Sequence, residues 1–329
     1  MPSPTARLLA ALEAQGLLPP AQAAAIADDE RARPFSLHFE LRALLYLGVV
    51  LLAGGLGVLV YQHLDSIGHE VIIAFVALAM SASFFYAARH RPAFTWGEAP
   101  RTSIAADYLL LLGCLLFLVL LGYLQVQYEV FGHRYGLATL LPAVVFLTLA
   151  YRYDHRGVLS LAVTALATWV GVSVAPLAVF QEGSFPTEVL QGPGLVLGLA
   201  LVAAGLASEY LNKKRHFAFT YLVLGSNLAL LAASSLLFDA HGGEGALWLL
   251  LVLGLSAGLV WYARRTQSYL FLLLGVAYSY VAVTYALVQL FDSTPDDWWI
   301  LFMIIAYFPA TLLGVVLLFI NIKKILRLA

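Results

Sequence analysis

Histidine and carboxylate side chains recur in the polar segments between alternate apolar runs of this chain. Imidazole and carboxylate groups are ligands that divalent metals accept. The competing interpretation is that these segments are solvated loops, which must be polar and which tolerate acidic residues, and the sequence favours it. We therefore assign no catalytic residue, cofactor or metal. The residues that a metal site would use are His63, Asp65, His69, His133 and His241.

A second set of polar side chains lies inside the apolar runs. Ser160, Thr164 and Thr168 recur every four residues, so on a helix they share one face. Such a stripe either lines a cavity for a polar small molecule or a lipid head group, or forms hydrogen bonds between helices. The residues that a cavity would use are Thr164, Thr168, Asn227, Tyr278, Tyr285, Gln289 and Tyr307.

Ionisable side chains are absent from the middle of the apolar runs, and Asp107 and Glu209 lie only near run ends. Ion-coupled pumps usually place such a group near the membrane midplane. The pattern therefore argues against a proton relay, although not against facilitated transport. The sequence also contains no glycine-rich phosphate loop, no His-Glu-x-x-His pair and no Gly-x-Ser-x-Gly elbow.

The composition identifies the environment that must position these residues. Of 329 residues, 62% are apolar and 11% are charged. Soluble domains have about 45–50% apolar and about 25% charged residues. The excess of apolar residues, together with the deficit of charged residues, indicates that lipid surrounds the chain. The net charge of −1 gives no reason to expect a nucleic-acid partner.

Ten runs without Asp, Glu, Lys or Arg divide the chain, and each has at least 17 residues. A helix needs about 20 residues to cross the hydrocarbon core, and backbone polar groups in lipid must be paired within the helix. We predict an all-α, polytopic membrane bundle of about ten transmembrane helices, in which 135–151 is the weakest span because it is short and contains Pro142. The runs are 43–64, 71–88, 108–128, 135–151, 157–181, 189–208, 216–238, 245–263, 266–291 and 298–322.

Basic residues set the predicted orientation. With ten spans and both termini in the cytoplasm, 17 of the 18 Lys and Arg residues fall on the cytoplasmic side, and Arg134 is the exception. Three cytoplasmic turns resemble one another, each with tyrosine next to a basic cluster. They indicate tandem two-helix hairpins, or only the usual accumulation of Arg and Tyr at cytoplasmic turns. The turns are 151–156, 210–215 and 262–265.

The segment 1–42 differs in composition from the transmembrane domain, 43–322, and from the basic tail, 323–329. Ser3 can cap a first helix that Gly16 ends, and Pro20 can begin a second. We predict a short cytoplasmic helical hairpin. It either lies on the membrane or bundle surface, or docks a protein partner.

Residues 8–23, LLAALEAQGLLPPAQA, are followed closely by a glycine-rich first span with Gly48, Gly54, Gly55 and Gly57. This opening resembles the bacterial family of predicted membrane proteins catalogued as domain of unknown function 2157. The resemblance implies a bacterial inner-membrane protein of undetermined activity, and it carries over no catalytic residues. Size and span count are more weakly similar to drug/metabolite transporters, but the amino-terminal hairpin departs from that pattern.

Three functions remain open from the sequence. The first is a transporter-like protein, or one that handles a lipid or small molecule, without strong ion coupling. The second is a scaffold or accessory subunit of an envelope complex that docks through residues 1–42. The third is an envelope-facing enzyme, which the short outer loops disfavour.

Overall fold

The computed structural model describes residues 12–13, 16, 18–24, 26, 38–62, 68–100, 103–132, 134–174, 187–240, 243–292, 300 and 302–326. Within these residues every regular element is helical. A π-helical turn, Met303–Tyr307, precedes the last helix, and a 3₁₀ turn, Arg215–Phe217, precedes α7. The helices are α1 His38–Gln62, α2 His69–Arg89, α3 Ile104–Tyr128, α4 Tyr135–Tyr153, α5 Arg156–Val174, α6 Thr187–Tyr210, α7 Ala218–Asp239, α8 Glu244–Thr266, α9 Tyr269–Asp292 and α10 Phe308–Ile325.

The predicted membrane helix bundle is confirmed. In the described part of the chain, nine helices, α2 to α10, are long and apolar enough to cross a membrane. The first predicted span, 43–64, overlaps α1, which is described to Gln62. Its apolar stretch, Ala43–Leu56, is shorter than the nine candidate spans. The weakest predicted span is a helix of 19 residues that contains Pro142. Within the run 157–181, the structure describes the residues up to Val174, and these are helical.

The chain divides into two compact units, residues 1–59 and residues 60–329. In the first unit, Gly16 has a φ of 68°, a left-handed conformation that suits glycine at a helix end. Most of the predicted hairpin lies outside the described residues, so the hairpin and the domain boundary at residue 42 stay predictions.

In the second unit, neighbouring helices pack as antiparallel pairs: α2 with α3, α4 with α5, α6 with α7 and α8 with α9. The connections within these pairs lie at one end of the bundle. We call this end the basic face and define it by the segments 89–100, 152–156, 210–217 and 264–268. Two of its turns are closed by residues in the left-handed conformation, Asp154 with a φ of 58° and Gln267 with a φ of 54°.

Helix α7 is the central helix of this unit. In its most apolar stretch 56% of the residues are buried, against 6% for the last helix. Glycines bring α6 and α7 together, because a Cβ on Gly198 would lie 2.5 Å from the Ala229 backbone nitrogen. A Cβ on Gly225 would lie 2.9 Å from the Gly198 carbonyl oxygen. Backbones this close pack through van der Waals contact, the main attraction between helices in lipid.

The sequence contains two Gly-x-x-x-Gly motifs, at 194–198 and 254–258, and they differ in how closely they pack. Gly198, in the motif at 194–198, makes a close helix contact. The motif at 254–258 does not, since nothing lies within 4 Å of a Cβ on Gly254 or Gly258. Gly254 and Gly258 instead line an open groove on the side of the bundle.

Candidate functional site

A buried ionic cluster lies on the basic face, where three connections meet. The Lys214 ammonium lies 2.7 Å from Asp154 Oδ1, and His216 Nε2 lies 2.6 Å from the same oxygen. The other carboxylate oxygen, Oδ2, accepts a hydrogen bond of 2.6 Å from the Ala99 backbone N–H. We call Asp154, Lys214 and His216 the clamp, because they join the α2–α3, α4–α5 and α6–α7 connections.

Lys214 is held unusually firmly for a lysine. Its side chain is 1% exposed, and its ammonium lies over the rings of Phe94 and Phe217 at 5.4 and 5.9 Å. Its backbone has a φ of 51°, which costs a residue other than glycine about 1 kcal/mol or more. Its backbone N–H donates to the Trp96 carbonyl at 2.7 Å, and its own carbonyl accepts from Ser208 at 3.1 Å. These contacts hold the backbone of Lys214 in one conformation, immediately before Arg215.

Side chains from the other connections contact the α2–α3 connection at three points. Arg152 donates to the Pro92 carbonyl at 3.2 Å, and Arg156 pairs with Glu98 at 3.1 Å. The ammonium of Lys213 lies 5.0 Å from the Trp96 ring. Of these contacts, the Arg156–Glu98 pair is exposed and contributes little, since surface pairs are worth about 0–1 kcal/mol. The buried clamp is the stronger attachment.

The environment of Asp154 sets its charge. Burial raises the pKa of this carboxyl group. The hydrogen bonds from the Ala99 N–H and the Lys214 ammonium lower the pKa, as do the nearby charges of His216 and Lys214, and together they outweigh the effect of burial. The net result is a pKa below the usual range for aspartate. Asp154 is therefore ionised at neutral pH and matches the charge of Lys214.

An apolar groove runs along the side of the bundle between α6, α7 and α8. It has a volume of about 260 Å³. Its mouth faces outward from the bundle, because Leu206 is 47% exposed and Trp261 is 63% exposed. The residues that frame it include Val202, Leu206, Leu222, Gly254, Gly258 and Tyr262.

A polar pocket of about 440 Å³ continues the groove at the basic face. The two share Leu206, and the hydroxyl of Tyr262, from the groove, donates to Glu209 Oε2, from the pocket, at 3.0 Å. Arg215 and Arg265 supply two positive charges to the same pocket. Among the described residues neither guanidinium forms an ion pair, so the pocket has a surplus of positive charge. We call it the arginine pocket.

The histidines proposed for a metal site are only partly described. His63, Asp65, His133 and His241 lie outside the described residues. His69 Nδ1 shares a hydrogen bond of 2.5 Å with the Tyr123 hydroxyl, at the end of the bundle opposite the basic face. No group of three His, Cys, Asp or Glu side chains close enough to hold a metal occurs in the described ranges.

The polar residues proposed to line a cavity lie in several places. Thr168 lines a space of about 500 Å³ with Gly171 and Leu228, while its hydroxyl donates to the Thr164 carbonyl. The others take part in hydrogen bonds between helices or within one helix, and a shared cavity stays a prediction. These bonds are Thr164 to Ser160, Tyr278 to Asn227, Tyr285 to the Phe238 carbonyl, Gln289 to Tyr285, and Tyr307 with Thr284.

Sequence reasoning missed the clamp and the arginine pocket. It interpreted the turns at 151–156, 210–215 and 262–265 as orientation signals, because basic residues are usual there. The signal that could have revealed the clamp is Asp154, an acidic residue inside a basic turn and a residue type that tolerates the left-handed conformation. Glu209, near a run end beside basic residues, is the corresponding signal for the pocket.

Comparison with known proteins agrees with the architecture. Residues 10–159 match the model of a family described as "Predicted membrane protein (DUF2157)". No curated protein and no solved structure matches the chain significantly. The matched region runs from the amino-terminal segment through α1 to α4 and into α5, so it includes Asp154 of the clamp but not the groove. Over residues 10–159, the chain is therefore similar to the DUF2157 family of predicted membrane proteins.

Proposed function

We propose that this protein is a lipid-handling membrane protein that holds one phospholipid in the groove between α6, α7 and α8. The observation that carries the proposal is that an apolar groove, open on the side of the bundle, continues into a positively charged pocket at the basic face. A phospholipid has the same arrangement, with apolar chains joined to a phosphate head group. The proposal includes no strong ion coupling, since the apolar runs of the sequence lack Asp, Glu, Lys and Arg.

The dimensions support the same occupant. Gly254 and Tyr262 are eight residues apart on α8, which corresponds to about 12 Å along a helix. This length suits part of an acyl chain that points from the basic face toward the bilayer centre. The glycines at 254 and 258 keep the groove open, because neither has a side chain to fill it.

Filling the groove tests the proposal. Gly258→Phe adds a phenyl ring at the groove lining, and its Cβ meets no atom within 4 Å. We expect phospholipid binding by the purified protein, measured by native mass spectrometry, to weaken about tenfold. Loss of two buried methylene groups suffices for this effect, at about 0.8 kcal/mol each.

The matched control is Gly122→Phe. Gly122 lies on α3, and nothing lies within 4 Å of its Cβ position either, so this variant adds the same side chain away from the groove. Equal lipid binding by Gly258→Phe and Gly122→Phe would contradict the proposal. Loss of a protein dimer rather than of lipid in Gly258→Phe would show that a second copy of the chain occupies the groove.

We further propose that the membrane is the bacterial cytoplasmic membrane, with the basic face inside. The positive-inside rule supports this orientation. In a variant whose buried Cys114 is replaced by Ser, we expect Glu98→Cys to react with a membrane-impermeant maleimide only in opened cells. Val130→Cys, at the opposite end and 57% exposed, should react in intact spheroplasts. The reverse pattern would contradict the orientation.

A further inference from the structure

The charges of the arginine pocket indicate which lipid head group it would bind. This inference rests on the proposed function. We infer that the pocket recognises a phospholipid with a primary-amine head group, the phosphoethanolamine class. Its phosphate binds Arg215 and Arg265, and its ammonium binds the carboxylate of Glu209.

The two arginines suit a phosphodiester. Guanidinium groups donate charge-assisted, paired hydrogen bonds to phosphate oxygens. Both side chains line one pocket and have no ionic partner among the described residues. Arg215 directly follows Lys214, whose buried side chain and left-handed backbone fix the start of the turn. The clamp therefore fixes the backbone from which the exposed Arg215 side chain extends.

Glu209 supplies the opposite charge in the same pocket. Its Oε2 accepts the hydrogen bond from Tyr262 at 3.0 Å, which orients the carboxylate and leaves Oε1 without a hydrogen bond from the described residues. A carboxylate beside two arginines would repel a purely anionic head group. It would attract an ammonium group that carries N–H donors. A trimethylated ammonium lacks these donors and cannot form that hydrogen bond.

The pocket therefore matches the head group charge by charge, with two guanidinium groups at a phosphate and one carboxylate at an ammonium. Phosphoglycerol offers hydroxyls to Glu209 in place of a cation, and diacylglycerol offers nothing to the arginines. The predicted order of affinity is phosphatidylethanolamine first, then phosphatidylglycerol and phosphatidylcholine, and diacylglycerol last.

The experiment measures binding of these four lipids, with equal acyl chains, to the full-length protein by native mass spectrometry. Arg215→Gln combined with Arg265→Gln should weaken phosphatidylethanolamine binding about tenfold, because it removes charge-assisted bonds to phosphate. Glu209→Gln should lower the ratio of phosphatidylethanolamine to phosphatidylglycerol affinity about fivefold and leave phosphatidylglycerol bound. The matched control, Arg264→Gln, removes one charge from the same helix end without touching the pocket and should change neither value.

The results separate the inference from the proposed function. Equal affinity of the wild type for all four lipids, with weaker binding by Gly258→Phe, would overturn the head-group inference and leave the lipid groove standing. Absence of lipid binding by the wild type would overturn both. An effect of Arg264→Gln equal to that of the pocket arginines would show general attraction to the basic face and would also overturn the inference.

Discussion

Replacing Asp154 with Asn should destabilise the folded protein by about 3–5 kcal/mol, the usual cost of removing one partner of a buried ion pair. The substitution keeps the size of the side chain and an oxygen for the Ala99 N–H. It leaves the Lys214 ammonium, 1% exposed, without its counter-charge. The measurement is denaturant-induced unfolding in detergent micelles, followed by circular dichroism.

Two companion variants test the physical reason. Lys214→Met together with Asp154→Asn should recover much of the lost stability, because replacing both charges with neutral groups removes the unpaired buried charge. Glu98→Gln breaks the exposed pair with Arg156 and should cost less than about 1 kcal/mol. If Asp154→Asn cost no more than Glu98→Gln, the clamp would not be the structural element that we describe.

The pH dependence has a definite sign. Because the folded pKa of Asp154 lies below its ordinary value, its stabilising contribution is complete above the unfolded pKa of about 3.9 and is lost as the pH falls through the folded value. The difference in unfolding free energy between wild type and Asp154→Asn should therefore persist at neutral pH and shrink in strong acid, as Asp154 becomes protonated. A difference that disappeared near pH 6 would contradict this assignment.

Gly198→Ala should be the second strongly destabilising change, by about 1–3 kcal/mol, as expected for overpacking of a well-packed contact. The added methyl group would lie 2.5 Å from the backbone nitrogen and 2.8 Å from the Cα of Ala229. Backbone atoms cannot rotate away, so α6 and α7 must move apart. The measurement is the same unfolding experiment.

Gly258→Ala is the matched control, since it makes the same chemical change in the middle of a helix. Nothing lies within 4 Å of its Cβ position, so the alanine should be neutral or stabilising by up to about 1 kcal/mol, the difference in helix propensity. Equal destabilisation by the two variants would mean that α6 and α7 are not in the close contact described.

Much of the fold follows from the sequence, for a physical reason. Lipid forces each charge-free run to form a helix, so the runs predict the helices closely. The run 135–151 becomes the helix Tyr135–Tyr153 even though it contains Pro142. The differences occur at the ends, as at Ile104, where a helix begins before its run because Ser103 caps it.

The site is less predictable, because it depends on which turns meet in space. Asp154 and Lys214 are sixty residues apart and belong to different helix pairs. Their contact follows from how the pairs pack, which hydropathy does not encode. The role of Gly258 is hidden in the same way, since small-residue spacing looks alike at a tight contact and at an open groove.

Electron cryo-microscopy of the wild-type protein in lipid nanodiscs containing phosphatidylethanolamine tests the central claim most directly. We expect elongated density in the groove beside Gly254 and Gly258, with a head-group feature between Arg215, Arg265 and Glu209. A groove filled by a protein helix, or by side chains that close it, would contradict the lipid-handling function.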